Sequence, residues 1–117
     1  MHRYFKRWEF KCKCDDPECD SDTVDYELLD VLIKAREKFG PIQIKSGHRC
    51  VKHNATKEVG GAPDSMHLEG KAGDVKARNY SPKEVFNYFD SLYPDKYGLG
   101  SYVWGTHIDV RPIKARW

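Results

Sequence analysis

The sequence changes from a helical pattern to a strand pattern at one Gly-Pro pair, and this change limits the fold more than any other feature. Before Gly40-Pro41, apolar residues recur at the spacing of one helical face. These residues are Val24, Leu28, Val31, Leu32, Ala35 and Phe39. After the pair, residues 42–46 alternate between apolar and polar side chains, which predicts a strand with one face on the core.

Two helix starts can be predicted from residues that cap helices. Asp22 or Thr23 can cap the helix that ends at Gly40. The segment Ser81-Pro82-Lys83-Glu84 predicts the start of a second helix, because it places a cap, a proline at the first helical position and a capping-box glutamate in order. The apolar stripe that follows stops at Pro94.

Further strands are predicted in the second half of the chain. They cover residues 72–77, 102–103 and 106–110, with Gly98-Leu99-Gly100 as a turn before the last two. No internal repeat or linker interrupts the pattern. We therefore expect a single α+β domain over residues 1–117, with a small antiparallel sheet, helices packed on one side of it, and residues 1–22 as an N-terminal arm.

Charge and hydropathy make several classes of partner poor candidates. The 117 residues carry a formal net charge of +2, with acids and bases interspersed, so the sequence has no concentrated basic surface for nucleic acid or an anionic membrane. No apolar run is long enough to cross a bilayer, and the first eight residues lack the apolar core of a signal peptide. We expect a monomer that is made in the cytosol and binds neither nucleic acid nor membrane.

Four cysteines form a separate feature. Three of them (Cys12, Cys14 and Cys19) lie in one aspartate-rich segment, and Cys50 is distant in sequence. The spacing differs from common zinc-finger patterns, because one residue rather than two separates Cys12 from Cys14. A structural metal, free thiols and a disulfide to Cys50 all remain open.

Two histidines and one carboxylate lie beside predicted strands in a pattern that suits zinc. His67 and Asp74 bracket Gly70, and His107 lies on a strand whose other face is apolar. Two imidazoles and a carboxylate leave one position of a tetrahedral zinc open for water, as hydrolytic zinc requires. A solvated histidine and a structural aspartate would give the same pattern, so the residue types alone leave both interpretations open.

Five short motifs extend this pattern along the chain. They are Ser46-Gly47-His48-Arg49; Asn54 with Gly60-Gly61-Ala62; Ser65-x-His67-x-x-Gly70-x-Ala72-x-Asp74; His107-x-Asp109-Val110-Arg111; and Ala115-Arg116-Trp117. In this order they resemble the zinc D-alanyl-D-alanine carboxypeptidases and related peptidoglycan metallopeptidases, including phage endolysins. Hedgehog signalling domains are similar at the zinc site, so such a metal arrangement does not by itself establish turnover.

The resemblance implies a site and a reaction. It implies a Zn²⁺ ion held by His67, Asp74 and His107, with water in the fourth position. It further implies that Arg49 binds and polarises the substrate carbonyl, and that Ser65 helps to seat the substrate. The expected reaction is zinc-dependent hydrolysis of an amide bond in peptidoglycan stem peptides, by a carboxypeptidase or an endopeptidase that acts on the cell wall and is phage-encoded or virion-associated.

One position departs from the family pattern and leaves the general base open. Relatives often carry an acid three residues before the last histidine, where this chain has Trp104. Asp109 is the nearest acid in sequence, and it is a candidate either for the base or proton shuttle or for a carboxylate that steadies His107. The alternative function is a non-catalytic zinc-bearing module that binds peptidoglycan or protein. A purely structural cysteine-metal domain is a third possibility.

Overall fold

The computed structural model describes residues 3–56 and 59–117 and shows one α+β domain. Its elements in chain order are α1 (Tyr26–Phe39), β1 (Ile42–Ser46), α2 (Val51–Asn54), β2 (Ala72–Ala77), α3 (Pro82–Leu92), β3 (Gly98–Tyr102), β4 (Gly105–Asp109) and β5 (Ala115–Arg116). Two 3₁₀ turns, Arg7–Phe10 and Met66–Glu69, precede α1 and β2. None of the helices described is long and apolar enough to cross a membrane.

Helix α1 begins later than the sequence predicts. Asp25, rather than Asp22 or Thr23, is the cap, and its Oδ1 accepts hydrogen bonds from the amides of Glu27 and Leu28 at 2.9 and 3.3 Å. The amide of Thr23 donates instead to Nδ1 of His48. The helix ends as predicted at Gly40, which has a φ of +77° and is therefore suited to glycine.

Helix α3 has the predicted start. The hydroxyl of Ser81 accepts a hydrogen bond from the amide of Glu84, and the Glu84 carboxylate accepts one from the amide of Ser81. Pro82 occupies the first helical position, where its missing amide hydrogen costs nothing. Val85 and Phe89 are buried on the inner side of this helix.

The sheet has the strand order β1-β2-β4-β3-β5 and is mixed rather than purely antiparallel. The first four strands pair antiparallel, whereas β5 joins β3 in parallel. β4 already has a partner on each side, and the chain that leaves it crosses to the free edge of β3, where Ala115 pairs with Gly98 and Arg116 with Leu99. The predicted α+β class is confirmed; the predicted antiparallel pairing holds for the first four strands, and β5 adds a parallel pair.

The two faces of the sheet have different roles. Register pairs Val75 with Thr106 and Gly73 with Ile108, so these four residues lie on one face. That face packs against α1 and α3 in the core, where Thr106 also donates a hydrogen bond to the carbonyl of Pro82 at 2.9 Å. Both long helices therefore lie on the same side of the sheet, as predicted, and the opposite face is left for polar side chains.

Gly98 and Gly100 belong to strand β3, and not to the turn that the sequence predicts. A Cβ at Gly98 would lie 2.4 Å from Oδ2 of Asp109, and a Cβ at Gly100 would lie 2.5 Å from Nε1 of Trp117. These positions are glycine because neighbouring side chains lie across the strand, and they do not break it. Strand β3 consequently covers Gly98–Tyr102, and the turn falls at residues 103–104.

Candidate metal centre and active-site cleft

The pairing of β2 with β4 brings two of the predicted ligands together on the polar face. Asp74 lies directly opposite His107 in the register, and both side chains point away from the helices. Oδ1 of Asp74 is 2.9 Å from Nδ1 of His107. Both residues are buried, so this contact lies at the bottom of the site and not at its rim.

His67 reaches the same point from the 3₁₀ turn Met66–Glu69. Ser65 caps this turn, since its Oγ accepts a hydrogen bond from the amide of His67 at 3.2 Å, and Gly70 ends it with a φ of +69°. The imidazole is held by Nδ1, which donates to the carbonyl of Gly47 at 2.7 Å. Its Nε2 then lies 3.2 Å from Oδ2 of Asp74.

The donor set suits a cation. The carbonyl of Gly47 can only accept, so Nδ1 of His67 carries a proton, and in the neutral imidazole the lone pair is on Nε2. This buried Nε2 has no hydrogen-bond partner among the described residues, because its contact with Asp74 lacks hydrogen-bond geometry. One atom from each of His67, Asp74 and His107 lies within 4.8 Å of the others. Three lone pairs that converge in a buried space are stabilised by a metal ion.

The charges around His107 lead to the same conclusion. Burial lowers its pKa, but hydrogen bonds with Asp109 and then Asp74 outweigh burial and raise it. For Asp74, burial raises the carboxyl pKa, while the hydrogen bond with His107 and the imidazole of His67, 3.2 Å away, hold it well below its usual range. The ring thus lies between two ionised carboxylates, an environment that favours positive charge at or beside Nδ1.

Asp109 lies behind His107 and has no contact with the open cleft. Its Oδ2 accepts a hydrogen bond from Nε2 of His107 at 2.7 Å, and Arg111 donates from Nε to Oδ1 and from Nη2 to Oδ2, both at 2.7 Å. The side chain is fully buried. Burial raises its pKa, but the hydrogen bonds from His107 and Arg111 hold the pKa below its usual range.

Arg49 lies beside the cluster with its guanidinium held at three points. It donates from Nε to Oγ of Ser46 at 3.1 Å, from Nη1 to Oδ1 of Asn54 at 3.1 Å, and from Nη2 to Oδ2 of Asp74 at 3.0 Å. Its backbone amide also donates to the carbonyl of His67 at 2.9 Å. A fixed cation thus lies next to the ligand set and faces the cleft.

The cluster opens into a cleft of about 890 Å³, large enough for a short peptide. Its lining includes Ser65 and a stacked aromatic pair, Tyr102 and Trp104, whose rings lie 4.9 Å apart at 10°. Trp117 also lines the cleft, 5.1 Å from the ring of His107. The cleft therefore combines a buried polar base with apolar walls.

All the predicted site residues except Asp109 line this cleft. The predicted roles of the ligands, Arg49, Ser65 and Asp109 stay predictions. Sequence reasoning gave no role to Asn54, Arg111 or Trp117, although each belongs to a motif noted above; only the fold reveals their contacts with Arg49, Asp109 and His107.

Comparison with known protein families supports the same assignment as the geometry of the site. A family model described as Peptidase M15 matches residues 3–109. The chain belongs to the peptidase M15 family. Because M15 peptidases are zinc-dependent, the membership makes this chain a zinc metallopeptidase with a peptide substrate, and the predicted family resemblance is confirmed. Among curated proteins, the chain has no match.

Proposed function

We propose that this M15 domain hydrolyses an amide bond in the stem peptides of bacterial peptidoglycan, as a carboxypeptidase or an endopeptidase. The observation that carries the proposal is the convergence of His67, Asp74 and His107 beneath a peptide-sized cleft, with Arg49 beside them. The reaction would take place at the cell wall, in the manner of a phage lysis enzyme or a virion-associated one.

Each residue of the site has a separate role in the proposed reaction. His67, Asp74 and His107 would hold zinc, which supplies Lewis-acid chemistry for amide hydrolysis when bound. Arg49 would stabilise negative charge on the carbonyl oxygen of the substrate, because Ser46 and Asn54 fix its guanidinium at the edge of the cluster. Ser65 lines the cleft and also holds the turn that carries His67, so it serves both substrate and ligand.

We assign Asp109 to the orientation of His107. Its two oxygens are occupied by His107 and Arg111, and it lies outside the cleft lining, so it is poorly placed to take a proton from water in the cleft. Among the described residues that line the cleft, Asp64 and Asp74 have carboxylate side chains, and Asp64 is exposed. Asp64 is therefore the candidate for the group that takes a proton from water. Asp64→Asn is therefore expected to lower kcat while leaving zinc affinity unchanged; an unaltered kcat would remove Asp64 as the proton acceptor.

The alternative of a non-catalytic zinc module has one specific observation in its favour. Trp104 occupies the position where family relatives often carry the acid, and its ring is stacked on Tyr102 instead of presenting a proton acceptor. A module of this kind would bind peptidoglycan or protein in the aromatic cleft without releasing product.

The test is a digest of purified peptidoglycan, with products separated and weighed by mass spectrometry. Zinc-loaded protein should release stem-peptide fragments, and their masses will show whether a terminal D-alanine, a cross-link or an L-Ala-D-Glu bond is cut. His67→Ala and a chelator should each abolish release, whereas His53→Ala is a matched control on α2, outside the cleft. Undiminished release by His67→Ala would refute the proposal, and binding without any release would favour the non-catalytic alternative.

A further inference from the structure

A second cluster of metal-ligating side chains lies outside the cleft. The Sγ atoms of Cys12, Cys14, Cys19 and Cys50 all lie within 4.8 Å of one another, although the last cysteine is distant in sequence. The first three belong to the irregular segment before α1, and Cys50 is the N-cap residue of α2. The fold has therefore assembled four sulfurs at one point.

The distance between the sulfurs of Cys12 and Cys50 matches that in a tetrahedral metal site, and the other sulfurs lie within 4.8 Å. Zinc-sulfur bonds of about 2.3 Å place the sulfurs of a tetrahedron roughly 3.8 Å apart. Sγ of Cys12 lies 3.7 Å from Sγ of Cys50. A disulfide would need about 2.05 Å, and all four cysteines are free in the structure.

Backbone amides point at the sulfurs, as thiolates require. The amide of Cys50 donates to Sγ of Cys12, and the amide of His53 donates to Sγ of Cys50, both at 3.4 Å. Backbone hydrogen bonds from Asp16 and Ser21 reach Cys14 and Cys19, respectively. Each sulfur thus has a hydrogen bond from the protein that favours its charged form.

We propose that Cys12, Cys14, Cys19 and Cys50 bind a structural zinc ion, separate from the zinc of the peptidase site. Four thiolates complete a tetrahedron and leave no position for water, so this ion stabilises the fold and takes no part in hydrolysis. The proposal rests on the thiol geometry alone and is independent of the substrate proposed above.

The structural consequence is an attachment of the N-terminal segment to the loop that carries Arg49. Cys50 follows Arg49 directly in sequence, and the amide of His48 donates to the carbonyl of Phe10 at 2.9 Å. Gly47 packs so closely on this segment that an added Cβ would lie 2.7 Å from Cα of Phe10. The metal would fasten this contact and so hold the guanidinium at the cleft.

The test measures the zinc bound per protein chain and the number of free cysteine thiols in the same preparations. Wild-type protein should hold two equivalents of zinc, while Cys14→Ser and His67→Ala should each hold one. After cobalt replacement, sulfur-to-cobalt charge-transfer bands should be present in wild type and His67→Ala and absent in Cys14→Ser. Alkylation of unfolded, unreduced protein after chelation should label all four cysteines.

Three results would overturn the proposal: a single zinc that disappears in His67→Ala, a disulfide between any two of the cysteines, or tightly bound iron in place of the second zinc. Should Cys14→Ser fail to fold, the wild-type and His67→Ala cobalt spectra and thiol counts still decide the question, since neither depends on a cysteine variant. A lower Tm for Cys14→Ser together with one retained equivalent of zinc would support a structural role.

Discussion

Asp109→Asn separates the two roles that the sequence leaves open for this residue. The substitution keeps the size of a fully buried side chain but removes its charge. The carboxylate accepts from Nε2 of His107 and from two atoms of Arg111, all at 2.7 Å. An amide offers one accepting oxygen, so its NH₂ group must face either the imidazole or the guanidinium, both of which are donors.

The size of the effect follows from these contacts. Carboxylates that orient a metal-binding histidine typically contribute about 10–100-fold to metal affinity. This corresponds to roughly 1.4–2.8 kcal/mol in the free energy of zinc binding. The upper half of the range applies to zinc affinity here, because the His107 contact is short and buried. The free energy of unfolding should fall by only about 1 kcal/mol, the low end of the cost of an unpaired polar group, because the Arg111 side chain is 35% exposed and can turn towards water.

Zinc affinity is measured by competition with a chromogenic chelator, and turnover is then measured at saturating zinc. Asp109→Asn should bind zinc about 30–100-fold more weakly and recover most of its turnover once zinc is saturating. Asp90→Asn is the matched control, since Asp90 also accepts from an arginine, Arg116, at 2.7 Å, but away from the cleft. It should leave zinc affinity unchanged.

A different result would refute the positioning role. If Asp109→Asn binds zinc as tightly as wild type and yet has no turnover at saturating zinc, the carboxylate acts as the base or proton shuttle. The fully buried position would then have to open during the reaction, which the short contacts to His107 and Arg111 argue against.

Three further predictions follow from particular contacts. In Gly61→Ala, the new Cβ would lie 1.9 Å from Oδ1 of Asn54, so the Asn54 side chain should move and lose its hydrogen bond with Arg49. Because this removes one hydrogen bond to a charged group, kcat/KM in the peptidoglycan assay should fall about tenfold. Tyr97→Phe removes a hydrogen bond to the exposed Glu27 and should lower the free energy of unfolding by about 1 kcal/mol in urea, with zinc content unchanged. Zinc at 100-fold above its Kd should raise the free energy of unfolding by about 2.7 kcal/mol per site, and a chelator should reverse this.

The sequence predicted a helix start correctly where neighbouring residues alone determine it. The α3 start was predictable because its capping box lies within four consecutive residues. The α1 start was not, because Asp22, Thr23 and Asp25 are all competent caps and tertiary contacts choose between them. The amide of Thr23 is taken by His48, and the amide of Asp25 donates to the carbonyl of Gly70 at 3.0 Å, which leaves the Asp25 carboxylate in position to cap.

Non-local packing explains what the sequence missed. Gly98 and Gly100 resemble a turn in sequence, yet they are strand residues because Asp109 and Trp117 occupy the space that their side chains would need. Strand β5 has two residues and no periodicity, so its parallel pairing could not be predicted. The set of His67, Asp74 and His107 was expected from the family resemblance of the motifs, whereas the residue types alone left it open. That Asp74 lies opposite His107 depends on the β2–β4 register, which the sequence did not predict.

The cluster of His67, Asp74 and His107 and the cluster of four thiols both contact one short irregular segment, residues 47–50. The carbonyl of Gly47 fixes the tautomer of His67, the amide of Arg49 donates to the carbonyl of His67, and Cys50 belongs to the thiol cluster. Strand β1 ends at Ser46, and the irregular backbone that follows lets the carbonyl of Gly47, the amide of Arg49 and the thiol of Cys50 each reach its partner. The segment that contacts Cys12 thus also positions Arg49 and the ring of His67, so the packing of the N-terminal segment is coupled to the geometry of the cleft.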